Sequence, residues 1–327
     1  MDKESVVIGV DIGGTNTAIG IVDRNNNFLF EGSFLTKADE GINNFIERLI
    51  RQIKEAYSKY ENTHDLEGIG FAAPGANYLT GTIESSANLK WGEVKFIDLL
   101  APHFNVPVTL LNDANAAALG EQQFGSARGM KNFIMITLGT GLGTGIVVNG
   151  QILYGENGFA GELGHLTIEK DGRLCNCGRQ GCLETYVSAT GIKRTAFNLL
   201  GTLNDESKIR HLNYEEITSK QIAELARQKD PIAVNAFNYT GEILGRALSN
   251  AVTYFDPQAI ILSGGLAEAD ELLFVPTIHS FEKNLLNVYK GKVRILKSSL
   301  QNGRAAVLGS CSFVKSTVNN NLNKLAK

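Results

Sequence analysis

The chain has 327 residues, 43% hydrophobic and 20% charged, with a net charge of −3. It is long enough for two domains with separate cores and has the composition of a soluble globular protein. No Lys/Arg cluster is long enough to follow a phosphate backbone, no apolar run reaches the length of a membrane span, and Met1-Asp2-Lys3-Glu4-Ser5 lacks a signal-peptide core. Nucleic-acid, membrane and secretory roles therefore find no support. Thirty-five glycines against six prolines predict many tight turns between strands and helices, as α/β folds need.

The apolar run Val6 to Ile12 predicts a strand that ends in Asp-Ile-Gly-Gly-Thr. Ala18 to Val22 resumes as a second strand, and Asn25-Asn26-Asn27 turns the chain into a third, Phe28 to Phe34. This is a β-meander with a glycine-rich first turn. Ile42, Phe45, Ile46, Leu49, Ile50, Ile53 and Tyr57 then recur on one helical face. Gly68 to Ala73 reads as a buried strand closed by Ala73-Pro74-Gly75, and Val106 to Leu111 as another. Asp113 opens a helix from Ala114 to Gln123.

The pattern restarts at the strand Phe133 to Leu138, a glycine-rich turn from Gly139 to Gly145, and a strand from Ile146 to Val148. Asp11-Ile12-Gly13 aligns with Thr137-Leu138-Gly139, so a strand–glycine turn–strand unit occurs twice and implies a duplicated fold. A third glycine turn, Ser263-Gly264-Gly265, follows the strand Ala259 to Leu262 and precedes a helix. Between these lie a polar stretch from Thr202 to Glu216 and a long helix from Pro231 to Tyr254, with the proline in its first turn. A helix from about Ala305 to Val318 leads into an Asn/Lys tail. No low-complexity linker separates the halves, which predicts two domains meeting at a cleft.

His165, Cys175, Cys177 and Cys182 give the spacing H-x9-C-x-C-x4-C. One imidazole and three thiolates suit a four-coordinate structural Zn2+ site, and the intervening glycines let three sulfurs reach one ion. Three of the four cysteines fall within eight residues, which argues against unrelated buried thiols. Glu162 and Glu184 flank the segment and are candidates for holding a polar ligand. Metal-spaced cysteines, with Cys311 left over, suit a reducing compartment, so the expected location is cytoplasmic.

Glycine turns between strands bring backbone N–H groups close to a ligand. Asp11-Ile-Gly13-Gly14-Thr15 offers such donors, a hydroxyl, and a strand-end carboxylate suited to Mg2+ through water. The turn at Gly139 offers a second cradle. Neither is a Walker A loop or a Rossmann fingerprint, since no Gly-Lys-Ser/Thr follows and strands rather than helices come next. Asn112-Asp113 lies where a strand ends and a helix begins. Asp113 reads both as a helix N-cap and as a base kept ionised by the helix dipole, able to take a proton as a phosphoryl group arrives.

Asp11-Ile-Gly-Gly-Thr15, Asn112-Asp113-Ala-Asn115, Leu138-Gly-Thr-Gly141, Gly161-Glu-Leu-Gly-His165 and Cys175-x-Cys177-Gly-x-x-Gly-Cys182-Leu-Glu184 together resemble the ROK family of repressors, uncharacterised reading frames and sugar kinases. The glucokinase-type members are the nearest in pattern. The resemblance implies an α/β, actin-like (ribonuclease-H-like) duplicated fold with two domains flanking a cleft. A small domain would span residues 1–118, with a C-terminal helix 302–327 packing back on it, and a large domain with the zinc loop would span 119–301. The implied activity is ATP-dependent phosphorylation of a hexose at its C6 hydroxyl, glucose first, with N-acetylglucosamine, N-acetylmannosamine or fructose as alternative substrates.

The same resemblance implies Asp113 as general base. Gly75, Asn88, Asn112, Glu162, His165 and Glu184 would line the sugar, with His165 using one ring nitrogen for zinc and the other for substrate. Asp11, Gly13, Gly14, Thr15, Gly139, Thr140 and Gly141 would hold the phosphates, and Gly264 and Gly265 would lie near the adenosine. A homodimer built through the larger domain is also implied. Two departures from the family pattern stand out: Asn16 where some members carry Lys, and an approximate sugar segment, Asn88-Leu89-Lys90-Trp91. A sugar-sensing regulator and an actin-like ATPase are the competing readings. The first lacks room for a DNA-reading helix pair before the strand at Val6, and the second leaves Glu162, Glu184 and the zinc loop without a purpose.

Overall fold

The computed structural model describes residues 3–84, 86, 89–300 and 303–325, with backbone alone from 319 onward. It divides into two compact units: Met1–Gly129 with Ile152–Ala160 and Ser299–Lys327, and Met130–Gln151 with Gly161–Ser298. No helix among the described residues is long and apolar enough to cross a membrane.

In the first unit β1 (Glu4–Ile12), β2 (Asn16–Asp23) and β3 (Phe28–Leu35) form the meander. After α1 (Ile42–Ser58) come β4 (His64–Ala73), the short hairpin β5 (Ala76–Asn77) and β6 (Thr82–Ile83), α2 (Phe96–Leu100), β7 (Val108–Asn112) and α3 (Asp113–Phe124). The sheet order is β3-β2-β1-β4-β7, with β1, β4 and β7 parallel. Alternation along β1 sorts its side chains: Val6, Ile8, Val10 and Ile12 join the core that takes Phe45, Leu49 and Ile53 from α1, while Val7 faces the other way. Phe45, Phe71 and Phe96 are wholly buried there, each contributing about 1.5–3 kcal/mol relative to exposure.

The second sheet and its helices comprise β8 (Phe133–Leu138), β9 (Leu142–Val148), β10 (Gln151–Ile152), α4 (Glu184–Val187), α5 (Ala189–Thr202), α6 (Ser219–Arg227), α7 (Pro231–Phe255), β11 (Ala259–Ser263), α8 (Glu271–Asn284) and β12 (Arg294–Lys297). Its order, β10-β9-β8-β11-β12, repeats the first sheet: an antiparallel pair feeds three parallel strands. The duplication expected from the two glycine turns is therefore present in the topology. The expected turn from Gly139 to Gly145 is shorter than its glycines imply, because Gly143 and Gly145 pair in regular register with Thr137 and Met135 inside β9.

The chain ends in α9 (Arg304–Leu325), in the first unit. It covers the face of β1 and β4 opposite α1, where Leu308, Cys311 and Val314 meet Val7 and Val22. Two glycines make that close approach possible. A Cβ at Gly70 would sit 2.1 Å from the Ser310 carbonyl oxygen, and one at Gly309 would sit 1.7 Å from that of Ala116 on α3. Any side chain at either position would push α9 off the sheet or off α3.

Candidate active site and metal centre

The three parallel strands of the first unit end side by side, and their carboxyl ends carry the unit's candidate site residues. In the ladder Asp11 pairs with Ala72 and Ala73 pairs with Asn112, so the carboxyl ends of β1 and β7 flank that of β4. Carboxyl ends of parallel strands are where α/β sheets bind ligands. Gly75 follows β4 with φ +71, and the Glu84 carbonyl oxygen lies where its Cβ would be, at 2.6 Å. Asn88 lies outside the described residues.

Asn112, rather than Asp113, caps α3. Its side-chain oxygen accepts hydrogen bonds from the Ala114 and Asn115 amides at 3.0 and 3.3 Å. Asp113 is the first helical residue, and its Oδ1 takes a share of the Ala114 amide at 2.9 Å. The helix terminus was expected to hold Asp113 fully ionised. Burial instead raises its pKa, outweighing the hydrogen bonds from the Ala114 and Asp113 amides that favour the carboxylate. Asp11 is pushed up to about 7, first by burial and then by the charge of Asp113. Two crowded carboxylates with raised pKa values form a site that a cation would relieve.

The turn after β1 is built to present donors. The Gly13 amide bonds back to the Asn16 carbonyl at 2.9 Å, while the exposed Gly14 and Thr15 amides have no acceptor among the described residues. The second unit has its counterpart after β8. There the Gly139 amide donates to the Gly141 carbonyl at 3.0 Å, the Ala189 amide donates to the Gly139 carbonyl at 2.8 Å, and the Thr190 hydroxyl donates to the Thr140 carbonyl at 2.8 Å. Sequence reasoning passed over Ser188 and Thr190, although Ser188 is the N-cap of α5, accepting from the Gly191 amide at 3.0 Å. Gly264, at φ +89, lies against β8, with the Leu138 carbonyl oxygen 2.5 Å from where a Cβ would be. The glycine turns after β8 and β11 are thus neighbours.

His165, Cys175, Cys177 and Cys182 converge, with their donor atoms all within 4.8 Å of one another. Cys177 Sγ and Cys182 Sγ are 3.7 Å apart, as are Cys175 Sγ and His165 Nδ1. A tetrahedral zinc with metal–sulfur bonds of about 2.3 Å has sulfur–sulfur edges of about 3.8 Å, so the donor set fits that ion. Tight turns bring the sulfurs together. Gly178 and Gly181 have φ +87 and +74, and a Cβ at Gly181 would lie 1.8 Å from the Glu169 carbonyl oxygen. Arg173 ties the loop to α4 and α5, donating to the Thr185 and Gly191 carbonyls at 2.8 and 3.1 Å. Cys311 is buried elsewhere, in the first unit.

The carboxylates beside the metal centre face different neighbours. Glu162 Oε2 lies 3.9 Å from His165 Nε2, the ring nitrogen turned away from Cys175. Glu184 bridges two features: Oε1 accepts from the Cys175 thiol at 2.9 Å, and Oε2 accepts from the Leu142 amide at 3.3 Å. Glu184 Oε2 also fills the space beside Gly141, 2.6 Å from where a Cβ would be. The metal loop and the glycine turn after β8 are therefore joined through one side chain.

The ROK family profile matches residues 7–317. A glucokinase of Halalkalibacterium halodurans is 35% identical over 95% of this chain and 96% of its own length. A xylose repressor of Caldicellulosiruptor bescii is 30% identical over 94% of this chain but only 77% of its own length. Among solved structures, a ROK family glucokinase from Streptomyces griseus in complex with glucose and AMPPNP superposes with a TM-score of 0.82. It is 32% identical and covers 95% of this chain and 99% of its own.

Proposed function

This chain belongs to the ROK family, and we propose that it is an ATP-dependent hexokinase that converts glucose to glucose 6-phosphate. The observation that carries this reading is the end-to-end match to a glucokinase, 35% identical over 95% of this chain and 96% of the relative. A glucokinase structure with glucose and AMPPNP supports ATP as the phosphoryl donor. The repressor relative is matched at lower identity, 30% against 35% for the glucokinase.

Phosphoryl transfer demands positioning and charge stabilisation more than covalent chemistry. Asp113 accepts the proton of the C6 hydroxyl as that oxygen attacks the γ-phosphorus. Its raised pKa makes it a stronger base than an ordinary aspartate. Gly75, Asn88, Asn112, Glu162, His165 and Glu184 pair with the remaining hydroxyls. Gly14, Thr15, Thr140 and Gly141 donate backbone N–H groups to the phosphates, Gly13 and Gly139 shape the turns that present them, and Gly264 and Gly265 leave room for the adenosine. Magnesium held through water at Asp11 would supply neutralisation of the charge that gathers on the donor phosphates. Zinc at His165, Cys175, Cys177 and Cys182 is structural and fixes the loop between Glu162 and Glu184. We place the enzyme in the cytoplasm as a homodimer.

A coupled ADP-release assay across glucose, mannose, fructose, N-acetylglucosamine and N-acetylmannosamine tests the assignment. Glucose is expected to give the highest kcat/KM. A higher value on either N-acetyl sugar would replace glucokinase with an N-acetylhexosamine kinase, and no ADP from any of the five would remove the kinase reading.

A further inference from the structure

Thr36 follows directly on β3, has no exposed surface, and uses every polar atom it owns. Its amide donates to the Thr15 carbonyl at 2.9 Å, its hydroxyl donates to the Gly13 carbonyl at 2.7 Å, and its own carbonyl accepts from Arg48 Nη2 at 2.6 Å. The hydroxyl has one proton, and that proton goes to Gly13. The 2.9 Å contact with the buried Thr17 hydroxyl must therefore have Thr17 as donor. A hydroxyl relay thus runs from Thr17 through Thr36 to the Gly13 carbonyl, and Arg48 on α1 anchors its middle member.

The consequence follows from peptide geometry. In a trans peptide the C=O of one residue and the N–H of the next point in opposite directions. Holding the Gly13 carbonyl inward on Thr36 therefore aims the Gly14 N–H outward, and that amide is one of the two in the turn with no acceptor among the described residues. Gly13 and Gly14 lack side chains, so nothing local fixes this peptide plane. We propose that Thr36 is a positioning residue for the donor phosphates: it touches no substrate and locks the peptide whose N–H does. The inference rests on the kinase reading above and adds a residue to it.

The test compares Thr36→Val, which keeps the shape and loses the hydroxyl, with Thr36→Ser, which keeps the hydroxyl. AMPPNP affinity and glucose affinity are each read by calorimetry, alongside KM for ATP and kcat. Without the hydroxyl, the Gly13 carbonyl and the Thr17 hydroxyl are left without a partner, and the peptide is free to rotate. Thr36→Val is expected to weaken AMPPNP binding and raise KM for ATP by about tenfold or more. Glucose affinity should stay within about twofold and the serine variant within about threefold of wild type in AMPPNP affinity. Wild-type AMPPNP affinity in Thr36→Val, or an equal loss for AMPPNP and glucose, would overturn the proposal. Should the valine chain not fold, Thr36→Cys, with its weaker donor, is expected between serine and valine, and wild-type AMPPNP affinity in it would overturn the proposal equally. A wild-type chain that binds no AMPPNP would defeat the kinase reading itself, an outcome distinct from wild type and Thr36→Val binding it alike.

Discussion

Asn112 caps α3 so that its neighbour Asp113 does not have to: the Asn112 side chain takes the Ala114 and Asn115 amides at 3.0 and 3.3 Å, and Asp113 becomes the first helical residue. Capping, read into Asp113 from sequence, falls to Asn112, which leaves Asp113 for the proposed proton transfer. Asn112→Ala is expected to lower stability by about 1 kcal/mol, whereas Asn112→Ser, which retains a cap, should stay within a few tenths. Urea denaturation of the two variants checks this. Equal stability of the alanine and serine variants would show that the cap contributes nothing.

Zinc is expected at one ion per chain. Cys177→Ser should retain less metal and melt at a lower temperature, because closing the loop through the ion contributes to folding. Elemental analysis of metal-replete protein, with thermal melts of both chains, checks it. Zinc-free protein, or a variant that melts with wild type, would contradict the site.

Asp11 gives a pH signature with a defined sign. Its pKa is pushed up to about 7, whereas an aspartate in the unfolded chain titrates at about 4. Between those values the native state holds a proton that the unfolded state has released. The contribution of this group is therefore fully present below pH 4 and is lost as pH rises through 7. In metal-free and nucleotide-free protein, wild type should lose stability relative to Asp11→Asn as pH goes from 5 to 8. Paired thermal melts read the difference, and a difference that is flat across this range would contradict the shifted pKa.

What the sequence made legible was what is local. The first strand follows from a continuous apolar run and α1 from period-3.6 burial, and the metal ligands all lie within one stretch of chain, from His165 to Cys182. The proximity of Asp11 and Asp113 was not legible, because it depends on β4 lying between β1 and β7. Nor was the link from Glu184 to Leu142, which spans 42 positions. Gly143 and Gly145 read as turn residues because glycine has no strand preference of its own; pairing with β8 overrides that. The sequence reading did not name α5 and α6, since small and polar residues such as Gly191 and Thr195 weaken the apolar stripe of α5. Thr218 and Gln221 form a capping box that marks the start of α6.

We propose that Asp113 takes the proton from the sugar hydroxyl during phosphoryl transfer, and turnover of Asp113→Asn with glucose and ATP is the decisive measurement. The amide keeps the size of the side chain and cannot accept that proton. Turnover is expected to fall by about 100- to 10,000-fold while calorimetric glucose affinity stays within about threefold of wild type. Near-wild-type turnover of Asp113→Asn would remove Asp113 as the base.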